Sequence, residues 1–314
     1  MKNTKILLHL GLPKTATSSL QHNVLQRLHV EGEINFLGKC LNYDLATKKI
    51  DIINYAGKFI RDAAEGKISI KEARNSLLSV LEEDKLNVFS DEGLMVAYPG
   101  KKNLPLSVKV NNLADIFHGY DVKVVVTLRN PVEYLYSLYV ELYPDFFSNI
   151  RKLNSIEKYG GELISRPNDV LFESFFFDRW IALLKSKFLL SVTSYEKLVA
   201  GDEATMSKWA DLLGVDNQCF SDLFNEKKVN VKKKSGKEVH QMKDLRRIEF
   251  ALRDIATKVR PMYALLRWVY NASRVKEILN YRVISKKTHK FPEGVKLERI
   301  NEVLRSSVKS SEYF

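Results

Sequence analysis

The chain has 314 residues and only two cysteines, Cys40 and Cys219. They show no metal-ligand or redox spacing, which excludes a disulfide framework and a thiolate metal centre and fits a reducing cytoplasm. No stretch reaches the ~20 uninterrupted apolar residues of a membrane span. Even LFESFFFDRWIALLKSKFLL (171–190) is broken by Glu173, Asp178, Arg179 and Lys185. No charged-then-apolar leader opens the sequence, and no repeat or low-complexity tract interrupts it. No recognised nucleic-acid motif is present, so a nucleic-acid partner is not expected.

Hydrophobic residues make up 45% of the chain, enough for a sizeable core. The net charge is +12, which favours an anionic partner such as a nucleotide, an acidic glycan or a phospholipid surface. Peripheral contact with a membrane is compatible with that charge. The densest cluster, KKVNVKKKSGK (227–237), carries six lysines.

Continuous apolar runs lie at 5–10, 86–90, 122–128 and 188–193, with a weaker one at 34–37. Continuous rather than alternating hydrophobicity suits parallel strands buried on both faces. Helical patterns fall between them, at 17–29, 50–64, 69–84, 107–118, 131–142, 169–187 and 203–213, the last stopping at Gly214. The expectation is an α/β fold, a mostly parallel central sheet flanked by helices. Residues 144–168 read as a polar surface loop or lid. Beyond 238 the pattern is helical with a basic, loop-like break at 280–292. The chain is therefore expected to be one domain (1–314), a core to about 238 and a C-terminal helical extension over 239–314. Ligands in such sheets bind beyond the carboxyl ends of the strands, here 11–19, 90–93, 129–130 and 194–196.

The first of these, GLPKTATSS (11–19), follows the first apolar run. Gly11 permits a sharp turn and Pro13 stiffens it. Lys14, the hydroxyls of Thr15, Thr17, Ser18 and Ser19, and the amides of a helix start then surround one point, an anion cradle. A nucleoside triphosphate loop would need lysine seventh from the first glycine, but lysine stands fourth.

GLPKTATSSLQ resembles the 5′-phosphosulfate loop of sulfotransferases that use 3′-phosphoadenosine 5′-phosphosulfate (PAPS), with Ala16 where glycine is common. Ala16 suggests ordinary helical backbone there. VVVTLRNPVEYLYSLY (124–139) resembles the family's 3′-phosphate element, which puts Arg129 and Ser137 on that phosphate. Independently of the family, Asn130 can cap a helix, Pro131 suits its first position and Glu133 completes a capping box. Ser137 has the alternative of an idle helix face. LLSVTSYEKL (189–198) and VFSDEGL (88–94) resemble two further family segments. The former puts Tyr195 near adenine, with half-buried packing as its other reading. The latter puts Glu92 where glycan-directed members keep the base that takes the acceptor's proton. Asp91 can cap the next helix, His9 reads as a satisfied core histidine and His22 as a packing or surface residue.

The resemblance implies transfer of a sulfuryl group from PAPS to a hydroxyl or amine, on a sugar or glycoconjugate. PAP (the desulfated product) is left behind, and Lys14 supplies the charge that a metal supplies in kinases, so no metal is expected. KKKSG (232–236) resembles the loop that closes over the 3′-phosphate, which makes Lys234 a further cofactor residue; a solvated basic loop is the alternative. Two other functions stay open: a nucleotide-dependent kinase and a non-catalytic nucleotide- or glycan-binding protein.

Overall fold

The computed structural model describes residues 4–44, 49–148, 150–226, 234–235, 238–244, 282–290 and 293–305. The apolar runs form a five-stranded sheet of β1 (Lys5–His9), β2 (Ile34–Phe36), β5 (Leu86–Ser90), β6 (Asp121–Leu128) and β7 (Leu189–Ser194). Its order is β2-β5-β1-β6-β7 and every pairing is parallel. Ile6, Leu7, Leu8, Val88, Phe89 and Val124 to Val126 are all buried, as two-faced packing requires. β1 lies between β5 and β6, with His9 level with Ser90 on one side and Val125 on the other. The carboxyl ends of these three central strands therefore open into one crevice.

A helical stretch, α1, fills 17–30; it is α-helical at Thr17–Ser19, π-helical at Leu20–Leu25 and α-helical again at Gln26–Val30. Its apolar face (Leu20, Val24, Leu25, Leu28) packs with Leu7, Trp209 and Phe220. Helices at Ile70–Val80 (α3), Leu106–Ile116 (α4), Pro131–Leu142 (α5) and Glu203–Leu213 (α9) match the sequence pattern. α9 ends at Gly214 with φ 71°, the left-handed cap expected there.

Three stretches differ from the sequence reading. Residues 50–64 are not one helix: β3 (Lys39–Asp44) and β4 (Lys49–Tyr55) form an antiparallel hairpin, and α2 begins only at Lys58 (Lys58–Ala64). The isoleucines of KIDIINY are β-branched and favour strand. Residues 144–168 are not a lid-like loop. A π-turn (Tyr143–Phe147) leads to α6 (Ile156–Ser165), capped by Ser155 and burying Ile156, Tyr159 and Leu163. Gly160 and Gly161 hid that helix by lowering its propensity, yet a Cβ at Gly160 would come within 2.8 Å of Ile300. The C-terminal part is not uniformly helical either. β9 (Glu238–Asp244) pairs antiparallel with β10 (Arg282–Lys290), where helix and a loop-like break were expected. Strands built from EVHQMKD and RVISKKTHK carry too few apolar residues to announce themselves.

By contacts the chain forms two units. One comprises 1–231 and 292–314, the other 232–291. The first includes the helix Val295–Val303 (α11), which packs on α6 through the buried Ile300. The second contains β9, β10 and the short strand β8 (Lys234–Ser235). Residues 245–281, part of the expected extension, lie outside the described residues.

Candidate functional site

The loop after β1 is held before any ligand arrives. The N–H of Leu10 continues the sheet to the Val125 carbonyl (3.1 Å), and the Thr15 hydroxyl donates to the Leu12 carbonyl (2.6 Å). Lys14 and Ala16 both have left-handed backbone, φ 69° and 63°. The ordinary helical backbone expected at Ala16 is therefore wrong: helix starts one residue later, at Thr17. Alternating the sign of φ lets a loop turn successive N–H groups towards one concavity, the kind of nest that binds anions. Gly11 serves a different purpose from the turn expected of it. Its φ is not positive, but a Cβ there would lie 2.4 Å from His9 Nε2. The ring of His9 thus occupies the space a side chain would need.

Across the crevice, Arg129 follows β6 and is only 8% exposed. Its Nη1 donates to the Lys14 carbonyl (3.1 Å) and its guanidinium lies 4.6 Å from the Tyr195 ring centre. Nη2 reaches Glu133 at 3.5 Å, and Nε, fully buried, has no partner among the described residues. Loop and arginine are thereby joined, with one strong donor unspent. Tyr195, expected near an adenine, lies beside this guanidinium. Asn130 caps α5 through the N–H groups of Val132 and Glu133. Glu133 does not complete the box: the Asn130 N–H donates to Glu196 instead (2.9 Å), and the Ser194 hydroxyl holds the other Glu196 oxygen (3.1 Å). A carboxylate after β7 thus ties the ends of β6 and β7 together. Ser137 is half-buried on α5, about 9 Å along the axis from Pro131 at 1.5 Å per residue. Further along, Glu141 lies 3.5 Å from Lys14 Nζ. Thr17 is buried, while Ser18 and Ser19 are half-buried on the first turn of α1.

The other wall, on the opposite side of β1, follows β5. Asp91 is fully buried and caps the turn Glu92–Met95 through the Gly93 N–H (2.8 Å). It also accepts from Lys39 (3.0 Å), Arg61 (3.1 Å) and the Tyr55 hydroxyl. Burial alone would raise its pKa, but the charges of Lys39 and Arg61 and the Tyr55 hydrogen bond hold it below the usual carboxylate range. Burial, and then Asp91, push the Tyr55 hydroxyl well up. Lys109, buried on α4, donates to the carbonyls of Leu94 (2.9 Å) and Val96 (3.3 Å) and fixes the far end of the turn. Glu92 is more open, its side chain 23% exposed. Gln21 donates to its Oε2 (2.9 Å), and Lys39 lies 3.7 Å from Oε1. Near it is Tyr98, whose hydroxyl burial pushes up to about 12 and whose ring lies 5.3 Å from Phe146.

His9 is only half satisfied. Its Nδ1 meets Ser90 Oγ at 2.8 Å, its Nε2 has no partner among the described residues, and burial lowers its pKa to about 3. His22 packs α1 on the hairpin through the Leu41 carbonyl (3.1 Å). Lys14 to Ser19, Glu92, Arg129, Ser137 and Tyr195 all belong to the first unit. Lys234 lies on β8 of the second, and its side chain is outside the described residues. Sequence reasoning missed Gln21, Lys39, Tyr55, Arg61 and Glu196. Gln21 alone carried a signal, four residues after Thr17 and hence on the same helix face. Among the described residues no cluster of His, Cys, Asp or Glu could hold a metal, and no helix is long and apolar enough to cross a membrane.

No protein-family profile matches the chain, and no curated protein matches it. Solved structures do. A sulfotransferase from Alicyclobacillus acidocaldarius is 14% identical over 67% of this chain and 81% of its own, with a TM-score of 0.43. Retinol dehydratase in complex with androsterone and the inactive cofactor PAP is 16% identical over 72% and 65%, at 0.36. The PezAT toxin–antitoxin system of Streptococcus pneumoniae is 13% identical over 62% and 69%, at 0.27. The chain is thus similar, at low identity, to solved sulfotransferases.

Proposed function

We propose that this chain is a PAPS-dependent sulfotransferase acting on a hydroxyl or amine, on a sugar or glycoconjugate, in the cytoplasm. The observation that carries this reading is Arg129: a buried guanidinium bonded to the Lys14 carbonyl, with Nε unpartnered among the described residues. A buried donor without an acceptor is costly, and a phosphate oxygen is the acceptor that arginine geometry suits. The residues fit the nucleotide. Lys14, the amides of 15–19 and the hydroxyls of Thr15, Thr17, Ser18 and Ser19 would hold its 5′ side; Arg129 and Ser137 would hold the 3′-phosphate. Tyr195 would border the base, and Lys234 would add charge.

PAPS would supply an activated sulfuryl group: the acceptor oxygen bonds to sulfur as the bond to the 5′-phosphate breaks. Glu92 takes the acceptor's proton. Lys14 and the loop amides stabilise the charge that grows on the transferred group and the departing phosphate. Most of the rate then comes from position and electrostatics.

The test is a thermal-shift screen of PAP, ADP and ATP, each with and without Mg²⁺. PAP should stabilise without metal, by ~2.7 kcal/mol at a hundred times its dissociation constant. Lys14→Ala should lower PAPS turnover by orders of magnitude while the fold stays intact. An obligatory metal, or ATP binding better than PAP, would replace this reading by a kinase.

A further inference from the structure

We propose that Gln21 is the positioning residue for Glu92. It is the last link of a buried line, His9–Ser90–Gln21–Glu92, that fixes Oε2 and leaves Oε1 for the acceptor's proton. The inference rests on the reading of Glu92 as base. Gln21 is 1% exposed. Its amide nitrogen lies 2.9 Å from Ser90 Oγ, 2.9 Å from Glu92 Oε2 and 3.4 Å from the Ser90 carbonyl. An amide nitrogen donates twice and accepts nothing. One N–H therefore goes to Glu92 and the other to Ser90.

The Ser90 hydroxyl, having accepted from Gln21, also hydrogen-bonds His9 Nδ1 at 2.8 Å, in the direction the imidazole tautomer sets. His9 is neutral in its buried seat and can accept there. The Gln21 nitrogen can only donate, so Glu92 Oε2 must accept. Among the described residues Oε1 has Lys39 at 3.7 Å, and Lys39 bonds more closely to Asp91, at 3.0 Å. The two adjacent carboxylates are treated differently. Asp91 is saturated by two cations and a phenol, and so stays a structural anion. Glu92 is oriented by a neutral amide, which aims the carboxylate without cancelling the charge that makes it a base.

Gln21→Met keeps the bulk of the side chain and removes both donors. Turnover of PAPS, followed as PAP release, should fall ~10–100-fold while PAP affinity stays within ~2-fold. In a Glu92→Gln background the same change should cost under ~2-fold, because residues acting through one another are not additive. Equal losses in both backgrounds, or PAP affinity falling in step with turnover, would overturn the proposal. Ser90→Ala, which disturbs packing less, should give a smaller loss of turnover of the same kind. Crystal structures of wild type and Gln21→Met need no turnover at all: the Glu92 carboxylate should leave its place in the variant. A carboxylate that stays put sinks the role of Gln21, whereas a wild type that binds no PAP sinks the sulfotransferase reading.

Discussion

The two walls of the crevice solve opposite electrostatic problems. Around β1 and β6 the groups are donors: the Lys14–Ser19 loop, and an arginine whose Nε has no partner among the described residues. Around β5 the charges answer one another, since Asp91 takes Lys39, Tyr55, Arg61 and the Gly93 amide. Glu133 and Glu141 lie only at 3.5 Å from Arg129 and Lys14, and on the proposed reading this wall receives an anion. A saturated acid asks for nothing, so Asp91 is free to serve as the fixed cap of the turn that carries Glu92.

The largest effect should come from the proposed base in the second wall. Glu92→Gln keeps the shape and removes the proposed base, and turnover should fall ~10²–10⁴-fold with PAP affinity nearly unchanged. Near-normal turnover, measured as PAP release, would move the base to His9, His22 or Asp91. Next comes the first wall. Wild type should prefer PAP to AMP by at least ~10-fold in calorimetry, and Arg129→Ala should erase most of that by weakening PAP alone. If both nucleotides weaken equally, Arg129 does not read the 3′-phosphate. Lysine at 129 should rescue in part, keeping the charge but losing the planar fork.

Both walls meet at His9, and acid tests that junction. In the fold its pKa is lowered to about 3 by burial, while in the unfolded chain it returns towards 6.5. Below that value the unfolded state binds a proton that the folded state refuses. Stability is therefore lost as pH falls from the unfolded pKa towards the folded one, by up to ~1.4 kcal/mol per pH unit. Denaturant titrations of His9→Gln between about pH 6 and pH 4 should show a flatter slope. An unchanged slope would mean that the imidazole is not buried as described. The smallest effect belongs to the loop: Ala16→Gly relieves a left-handed alanine and should raise stability by ~0.5–1 kcal/mol in thermal melts. No gain would mean that the loop relaxes once free of ligand.

What sequence could reveal divides along the same line. The first wall is local: strand, loop and helix start are contiguous, and Arg129-Asn130-Pro131 announces its own cap. The second is assembled from separate elements, with Lys39, Tyr55 and Arg61 lying 52, 36 and 30 residues from Asp91. No periodicity joins such residues: β3 carries Lys39, β4 carries Tyr55 and α2 carries Arg61, where one helix was expected over 50–64. Glu133 failed as a capping partner for a related reason. Glu196 arrives from the helical turn after β7, 66 residues away, and takes the same N–H. The left-handed Ala16 was invisible because alanine is a helix former whose local preference the surrounding loop overrides.

The π-helical stretch Leu20–Leu25 makes chain length itself a variable of the site. Its hydrogen bonds, such as Gln26 N–H to the Gln21 carbonyl, span five residues rather than four. Gln21, at the start of this stretch, faces Glu92, while Gln26 and Leu28, after it, are seated on the hairpin and in the core. Deleting one residue from 22–25 would restore an ordinary helix and better local geometry. It would also turn one half against the other by about 100°, at 3.6 residues per turn. Either Leu28 leaves the core or Gln21 leaves Glu92. The surplus residue is the spacer that lets one helix keep both appointments.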